Sequence, residues 1–173
     1  MKSLRLVPLR YSSVHLRMKY PRGQVDEHTF TFRKHKAQIV RWADNAVNCA
    51  AELHPDATIY VSSDSNDTVG YLLEESRFVG RGGRPPAVGL VARDHSNENE
   101  HVEFSDCGEA DGFMSVFEDL AIMGMGRCVA HGIGGYGKLG AALSGGGCVM
   151  RHRGHNSSVC SDALRRAQTN IDA

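Results

Sequence analysis

The sequence predicts an α/β fold, a Rossmann-like three-layer domain in which helices cover both faces of a mostly parallel sheet. Two observations lead to this prediction. Short runs rich in β-branched and aromatic residues alternate with segments whose apolar residues recur at helical spacing. Such alternation is typical of parallel sheets, because each connection between parallel strands needs a crossover. The chain of 173 residues is also long enough to bury the core of one such domain.

The first half of the chain predicts two strands and two helices. Residues 11–16 predict a strand that ends in a loop containing proline and glycine. Residues 33–53 carry apolar side chains three and four positions apart, which predicts a helix that stops before Pro55. Residues 57–61 are mostly β-branched or aromatic, which predicts a buried strand. A polar turn follows, and we expect a second helix at 68–77.

The second half repeats this alternation after a loop-like stretch. Residues 80–100 are rich in glycine, proline and polar side chains, and we expect one short strand within them, at 87–92. Apolar spacing then predicts two more strands and two more helices. We expect these strands at 127–131 and 148–150 and these helices at 113–123 and 136–143.

The chain is expected to form one domain, residues 1–150, followed by a polar C-terminal tail, residues 151–173, with one helix at 162–168. His152 and His155 lie in this tail. The arginines beside them would repel a cation, so we do not expect them to bind a metal.

Composition excludes several classes of protein. No run of about 18 apolar residues occurs, so no segment is expected to cross a membrane. Residues 1–10 lack the continuous apolar core of a secretion signal. We therefore expect that any targeting segment lies outside this chain or has been removed. Nucleic-acid binding is disfavoured, because the pI is about 7.1 and the basic residues are not interleaved with aromatic ones. The five cysteines contain no Cys-x-x-Cys pair, which disfavours a zinc ribbon, and they permit at most two internal disulfides.

Basic and acidic residues are segregated along the chain, although the formal net charge is +0. Residues 1–41 contain ten lysines and arginines and two acids, whereas residues 42–119 contain four arginines and sixteen acids. The basic segment either attracts an anionic ligand or forms a solvated face, and the sequence leaves both interpretations open.

Three predicted strands end in residues that are suited to binding a ligand. His15 and Arg17 lie at the end of the first strand. Ser63 and Asp64 follow the second strand, and a glycine-rich loop at 132–137 follows the fourth. Because ligands of open α/β folds bind beyond the carboxyl ends of the strands, we expect these residues to converge on one site.

The loop Gly132-Ile133-Gly134-Gly135-Tyr136-Gly137 lies between a predicted strand and a predicted helix. Its glycines let backbone N–H groups approach a phosphate, and a helix start adds partial positive charge. Alternatively, the glycines only allow close packing of the strand and the helix. The loop matches the dinucleotide fingerprint, but no acid occurs between Lys138 and Ser161, which disfavours NAD binding. Leu139 follows Lys138, which excludes a P-loop.

Arg17 and Asp64 are candidate ligand-binding side chains with different roles. The Arg17 guanidinium can fork onto diphosphate oxygens and offset charge on a leaving group. His15 lies on the same side of the strand and is either part of this site or a structural residue. Asp64 either accepts hydrogen bonds from ribose or sugar hydroxyls or caps the next helix.

Taken together, these segments resemble the three donor-site motifs of the GT-B fucosyltransferase superfamily, which includes the α1,6-, α1,2- and protein O-fucosyltransferases. The resemblance covers most of residues 11–150 and implies the donor-binding, C-terminal half of a GT-B fold. The matching segments are Val14-His15-Leu16-Arg17, Ile59-Tyr60-Val61-Ser62-Ser63-Asp64, Phe117-Glu118-Asp119-Leu120-Ala121 and Val129-Ala130-His131-Gly132-Ile133-Gly134-Gly135-Tyr136-Gly137.

The resemblance implies an inverting fucosyl transfer from a GDP-fucose-type donor, with no metal and no cofactor, in the Golgi or ER lumen. It places Arg17 at the diphosphate as the catalytic residue and His15 near the guanine. Ser63 and Asp64 take the position of donor-binding residues, with the Asp64 carboxylate at donor hydroxyls. Asp119 matches an acid that reads the guanine.

The phosphate loop of the family corresponds here to Gly134, Gly135 and Tyr136, which leaves only backbone donors for the β-phosphate where many members have serines. Met18 and Tyr20 also depart from the α1,6 pattern, which has a second arginine and an acid at these positions. The ten residues before the region of resemblance, residues 11–150, are too few for the acceptor-binding domain of a GT-B enzyme.

We therefore expect one of two functions. The first is a nucleotide-sugar-binding domain that transfers fucose when paired with an acceptor-binding domain. The second is a non-catalytic descendant that serves as an accessory or scaffold subunit of a larger protein complex.

Overall fold

A computed structural model describes residues 5–18, 32–75, 89–93, 110–145 and 147–152. The described strands form one five-stranded sheet in which every neighbouring pair is parallel. Helices flank this sheet, which confirms the predicted Rossmann-like α/β fold. The strands are β1 (Tyr11–Leu16), β2 (Thr58–Ser63), β3 (Leu90–Val91), β4 (Cys128–His131) and β5 (Val149–Arg151).

The described α-helices are α1 (Phe32–Leu53), α2 (Asn66–Gly70), α3 (Ala110–Met125) and α4 (Gly135–Leu143). The helix predicted at 68–77 begins earlier, because the Ser65 hydroxyl accepts a hydrogen bond from the Thr68 backbone N–H at 3.3 Å and caps α2. After α2 the chain continues as a π-helical segment, Tyr71–Glu75, which its apolar spacing does not distinguish from an α-helix.

The strand order is β3-β2-β1-β4-β5, so the sheet grows in one direction from β1 to β3 and in the other from β1 to β5. On the central strand, His15 lies opposite Ser62 of β2 on one side and opposite His131 of β4 on the other. The change of direction between β1 and β4 is a topological switch point. In open α/β folds, a switch point marks the crevice beyond the carboxyl ends of the two strands, where ligands bind.

Helices α1 and α2 cover one face of the sheet with an apolar core. Alternate strand residues point to this face, and Val14, Ile59 and Ala130 among them are fully buried. Ile39 and Val47 from α1 pack against them. Burial of these aliphatic side chains is the main contribution of this face to stability.

Helices α3 and α4 cover the opposite face, where the apolar core is smaller. It consists of Tyr11, Tyr60, Leu120 and Met123. The two helices pack closely, because a Cβ placed on Gly140 would lie only 2.9 Å from the Met123 methyl group. Much of the remaining strand surface on this face is polar, and it leads to the carboxyl edge described below.

The edge strand β5 is fixed to β4 by a disulfide between Cys128 and Cys148, whose Cα atoms are 4.7 Å apart. The pairing extends beyond β5, since the His152 backbone N–H donates to the His131 carbonyl at 2.9 Å. His152 is buried, at 6% exposure. The fold thus includes two residues that the sequence places in the solvated tail, and the rest of that tail lies outside the described residues.

Candidate functional site

The ends of β1, β2 and β4 meet at the carboxyl edge of the sheet, as the sequence predicts, because all three strands are parallel and adjacent. The switch point lies between β1 and β4. Arg17 is therefore next to the glycine loop that follows β4, whereas Ser63 and Asp64 lie on the other side of β1.

Arg17 lies against the glycine loop. A Cβ placed on Gly134 would be 3.0 Å from Arg17 Nη1 and 3.3 Å from Cδ. Gly134 also has a φ of 105°, in a region that side chains other than glycine rarely adopt. A residue with a side chain at position 134 would therefore be strained and would displace the guanidinium. The sequence predicts that Arg17 and this loop approach each other, and the geometry brings them into contact.

Helix α4 starts directly beneath this arginine. Gly134 is its N-cap residue and makes no side-chain cap hydrogen bond, so the N-cap position offers no side-chain acceptor to the backbone N–H groups at the start of the helix. The first helical residues are Gly135 and Tyr136. Uncapped N–H groups and the positive end of the helix dipole favour an anion, and the adjacent guanidinium adds a full positive charge.

His15 lies under the first turn of α4 and is buried, at 5% exposure. Its ring is 5.0 Å from the ring of Tyr136, and its Nδ1 would be 2.8 Å from a Cβ on Gly137. Within the part of the chain that the structure describes, this Nδ1 has no hydrogen-bond partner. Burial, followed by the nearby His152, His131 and Arg17, lowers the pKa of His15 to about 3, so its imidazole is neutral at pH 7.

Two further histidines, neither of which is among the donor-site residues predicted above, lie next to His15. His152 Nε2 donates to the His15 carbonyl oxygen at 2.8 Å, and burial lowers the pKa of His152 to about 4. His131 Nδ1 donates to the Gly132 carbonyl at 3.1 Å, and burial is the main cause of its lowered pKa. All three rings are buried. The pairing of β1, β4 and β5 brings them together, although they are far apart in sequence.

Asp64 does not cap helix α2, a role that Ser65 fills. Its Oδ1 accepts a hydrogen bond from the Met18 backbone N–H at 2.6 Å. The side chain thus joins the end of β2 to the residue immediately after Arg17. Ser63 is buried at this edge, and its hydroxyl accepts from the Ser65 backbone N–H at 3.2 Å.

Asp119 lies in the interface between α3 and the sheet, where it contacts β2. Asp119 is buried, at 1% exposure. Its Oδ1 accepts from the Tyr60 hydroxyl at 2.5 Å, its Oδ2 accepts from Ser62 at 2.9 Å, and Arg93 Nε is 3.3 Å from Oδ1. The resemblance implies that this acid reads a guanine, but in this structure its carboxylate is turned to internal partners and is covered.

Further positive charge surrounds the carboxyl edge. Lys138 of α4 and Arg151 of β5 are exposed, and both are near enough to His131 to contribute to its lowered pKa. With Arg17, they provide three cationic side chains on the side of the crevice formed by β4, β5 and α4. This arrangement favours an anionic ligand.

One pattern in the sequence could have indicated these buried polar residues, and the predictions above did not use it: polar residues occur at every second position of two strands. Ser13 and His15 alternate with buried apolar residues in β1, and Tyr60 and Ser62 do so in β2. A strand that is buried on both faces normally reads as a continuous apolar run. Polar residues at alternate positions of such a strand therefore indicate that one covered face carries a hydrogen-bonded network.

Among the described residues, no group of three or more histidines, cysteines or acids is arranged to hold a metal ion. The helices within those same ranges include none with the length and apolarity needed to cross a membrane. Comparison of the chain with protein-family models, with curated proteins and with solved structures finds no match.

Proposed function

We propose that the crevice between β1 and β4 binds the diphosphate of a nucleotide sugar, and that the protein transfers fucose from a GDP-fucose-type donor when combined with an acceptor-binding domain. One observation carries this proposal. The Arg17 guanidinium lies against Gly134, at the uncapped start of α4 and at the switch point of the sheet. A cation, a helix N-terminus and a topological crevice thus coincide.

This arrangement suits the departure of a nucleoside diphosphate. When the bond between the sugar and the β-phosphate oxygen breaks, negative charge accumulates on the phosphate oxygens. Arg17 can donate to two of these oxygens, and the N–H groups of Gly135 and Tyr136 can donate to a third. These donors are already in place before the charge develops, which is the condition under which they lower the barrier most.

The positive charges around the site support the assignment of a diphosphate as the ligand, and the family resemblance supports the assignment of the sugar and the base. Neutral His15 packs on the Tyr136 ring and helps to fix the start of α4. Because the Asp119 carboxylate is covered, the preference for guanine rests on the family resemblance alone.

A second candidate function, a non-catalytic accessory or scaffold subunit, is favoured by one specific observation. Both acids expected to contact the donor accept hydrogen bonds inside the protein, Asp64 from Met18 and Asp119 from Tyr60 and Ser62. A fold that has lost its donor could retain such bonds for stability. Binding measurements separate the two candidates.

Isothermal titration calorimetry of the protein with GDP, UDP and NAD is the test. We expect GDP to bind and the Arg17→Ala variant to lose about tenfold or more in affinity, since charge-assisted hydrogen bonds contribute about 1.5–3 kcal/mol. Arg10→Ala is the matched control. It removes the same charge from an exposed position that precedes β1, at the opposite edge of the sheet, so we expect it to bind GDP as the wild type does.

Three outcomes would decide against the donor site. Equal affinity of the Arg17→Ala and Arg10→Ala variants would place the nucleotide elsewhere. Preferential binding of NAD would indicate an oxidoreductase-type ligand. Absence of binding to every nucleotide, together with stable association in a multi-subunit complex, would favour the scaffold candidate.

A further inference from the structure

We infer that Asp64 is a positioning residue that holds Arg17 over the glycine loop, rather than a residue that touches the donor hydroxyls. This inference rests on the proposed diphosphate site and names the residue that fixes its geometry. The observation behind it is the hydrogen bond of 2.6 Å from the Met18 backbone N–H to Asp64 Oδ1.

The register of the sheet explains why this bond matters. β1 and β2 pair in parallel up to Leu16 and Ser63. Arg17 and Asp64 are the next residues on the two strands, where the regular ladder ends. The Asp64 carboxylate replaces a backbone carbonyl as the acceptor for the chain beyond β1, and a charged acceptor makes this bond stronger than a neutral one.

The neighbours of Arg17 are held in the core on the opposite face. Leu16 is fully buried and Met18 is 3% exposed, and both belong to the apolar core beneath α1. Because side chains alternate along an extended chain, Arg17 then points to the face of α3 and α4, where Gly134 lies. Asp64 fixes the backbone of this segment, and the alternation directs the guanidinium.

Removal of the acceptor should therefore release the segment after Leu16. In an Asp64→Ala variant, the Met18 N–H has no carboxylate to donate to, and we expect the Arg17 guanidinium to leave Gly134 for part of the time. An Asp64→Asn variant retains an oxygen at the same position, so we expect it to keep the segment in place without the negative charge.

Binding of inorganic pyrophosphate tests this inference, because pyrophosphate has no sugar hydroxyl. We expect Asp64→Ala to weaken pyrophosphate binding by about tenfold, as expected when a well-placed charge-assisted contact is lost. Loss of a negative charge by itself would strengthen the binding of an anion, so the expected change has the opposite sign to the electrostatic one. Asp64→Asn should bind pyrophosphate at least as well as the wild type.

Asp67→Ala is the matched control. Asp67 is an exposed acid in the first turn of α2, three residues away, and the variant removes the same charge. We expect its pyrophosphate affinity to equal or slightly exceed that of the wild type. If Asp64→Ala binds pyrophosphate normally and loses affinity only for GDP-fucose, Asp64 contacts the sugar and the inference is wrong.

Amide hydrogen exchange and the Gly134 amide signal, measured by NMR without any ligand, separate this inference from the proposed function. We expect the Met18 amide to be protected in the wild type and in Asp64→Asn and to lose protection in Asp64→Ala. The Gly134 amide signal should move in Asp64→Ala in the same direction as in Arg17→Ala. If the wild type binds no pyrophosphate, the proposed site fails, while these signals still show whether Asp64 holds Arg17. Unchanged signals in Asp64→Ala would overturn the inference.

Discussion

The two faces of the sheet come from the same strands but differ in chemistry. Toward α1, the central strands present Val14, Leu16 and Val61, all buried and aliphatic. Toward α3 and α4, the alternate positions present residues such as His15 and Ser62, equally buried but polar. Helices cover both faces, so the two faces do not differ in how deeply their strand residues are buried. The difference indicates that one face provides most of the hydrophobic stabilisation, while the other carries a polar network that leads to the site.

The largest expected effect comes from breaking the apolar face. Ile59→Ala removes a fully buried side chain beneath α1, and such changes cost about 2–5 kcal/mol of unfolding free energy. We expect the remaining folded protein to bind pyrophosphate normally, because the site lies on the other face. Urea unfolding and calorimetry measure the two quantities. Leu139→Ala, at a position 49% exposed on α4, is the control and should change stability by less than about 0.5 kcal/mol.

The buried histidines at the carboxyl edge should make the stability of the protein depend on pH. Burial lowers the pKa of His15 to about 3 and that of His152 to about 4, whereas the unfolded chain protonates its histidines near about 6.5. The unfolded state therefore binds more protons below that pH, and stability falls as the pH decreases from about 6.5 toward about 4. Each histidine contributes at most about 1.4 kcal/mol per pH unit.

We expect a total loss of roughly 2 kcal/mol in the unfolding free energy between about pH 7 and about pH 5.5, measured by urea denaturation. His152→Gln can keep a donor for the His15 carbonyl but removes one titrating group, so it should reduce the slope by about one proton. If the unfolding free energy stays constant or rises as the pH decreases over this interval, these imidazoles do not remain neutral in the folded protein.

The smallest expected effect distinguishes charged from neutral acceptors within the polar face. Tyr60 donates to the Asp119 carboxylate, whereas Tyr11 donates to the backbone carbonyl of Ile122. Replacement of each tyrosine by phenylalanine keeps the ring and removes one hydrogen bond. We expect Tyr60→Phe to cost about 2 kcal/mol and Tyr11→Phe about 1 kcal/mol in thermal or urea unfolding. A larger loss for Tyr11→Phe would contradict the assignment of Asp119 as a buried, charged acceptor.

The sequence predicts the order of the elements well because each strand and helix has a local period. β1 matches its predicted bounds, and α1, α3 and α4 lie within three residues of theirs. The helix predicted at 68–77 differs from the observed one, because its start depends on the Ser65 cap and its continuation is π-helical. Strand β3, at Leu90–Val91, lies within the predicted 87–92, and residues 87 and 88 of that prediction lie outside the described residues.

The sequence also indicates that Arg17 approaches the glycine loop, because the parallel arrangement places the ends of adjacent strands side by side. It does not indicate what each acid does. Asp64 and Asp119 are both plausible donor ligands in a linear reading, yet the structure turns one to the Met18 backbone and the other to Tyr60 and Ser62. A partner 46 or more residues away leaves no local pattern to read.

The amino-acid sequence thus determined the α/β class, the alternation of elements and the glycine-rich start of α4, because periodicity and backbone freedom are properties of short segments. Only the tertiary structure decided which polar residues meet. The three buried histidines come from β1, β4 and the residue after β5, and they become neighbours only through the strand order. Strand order is set by the packing of the whole chain, and no short segment encodes it.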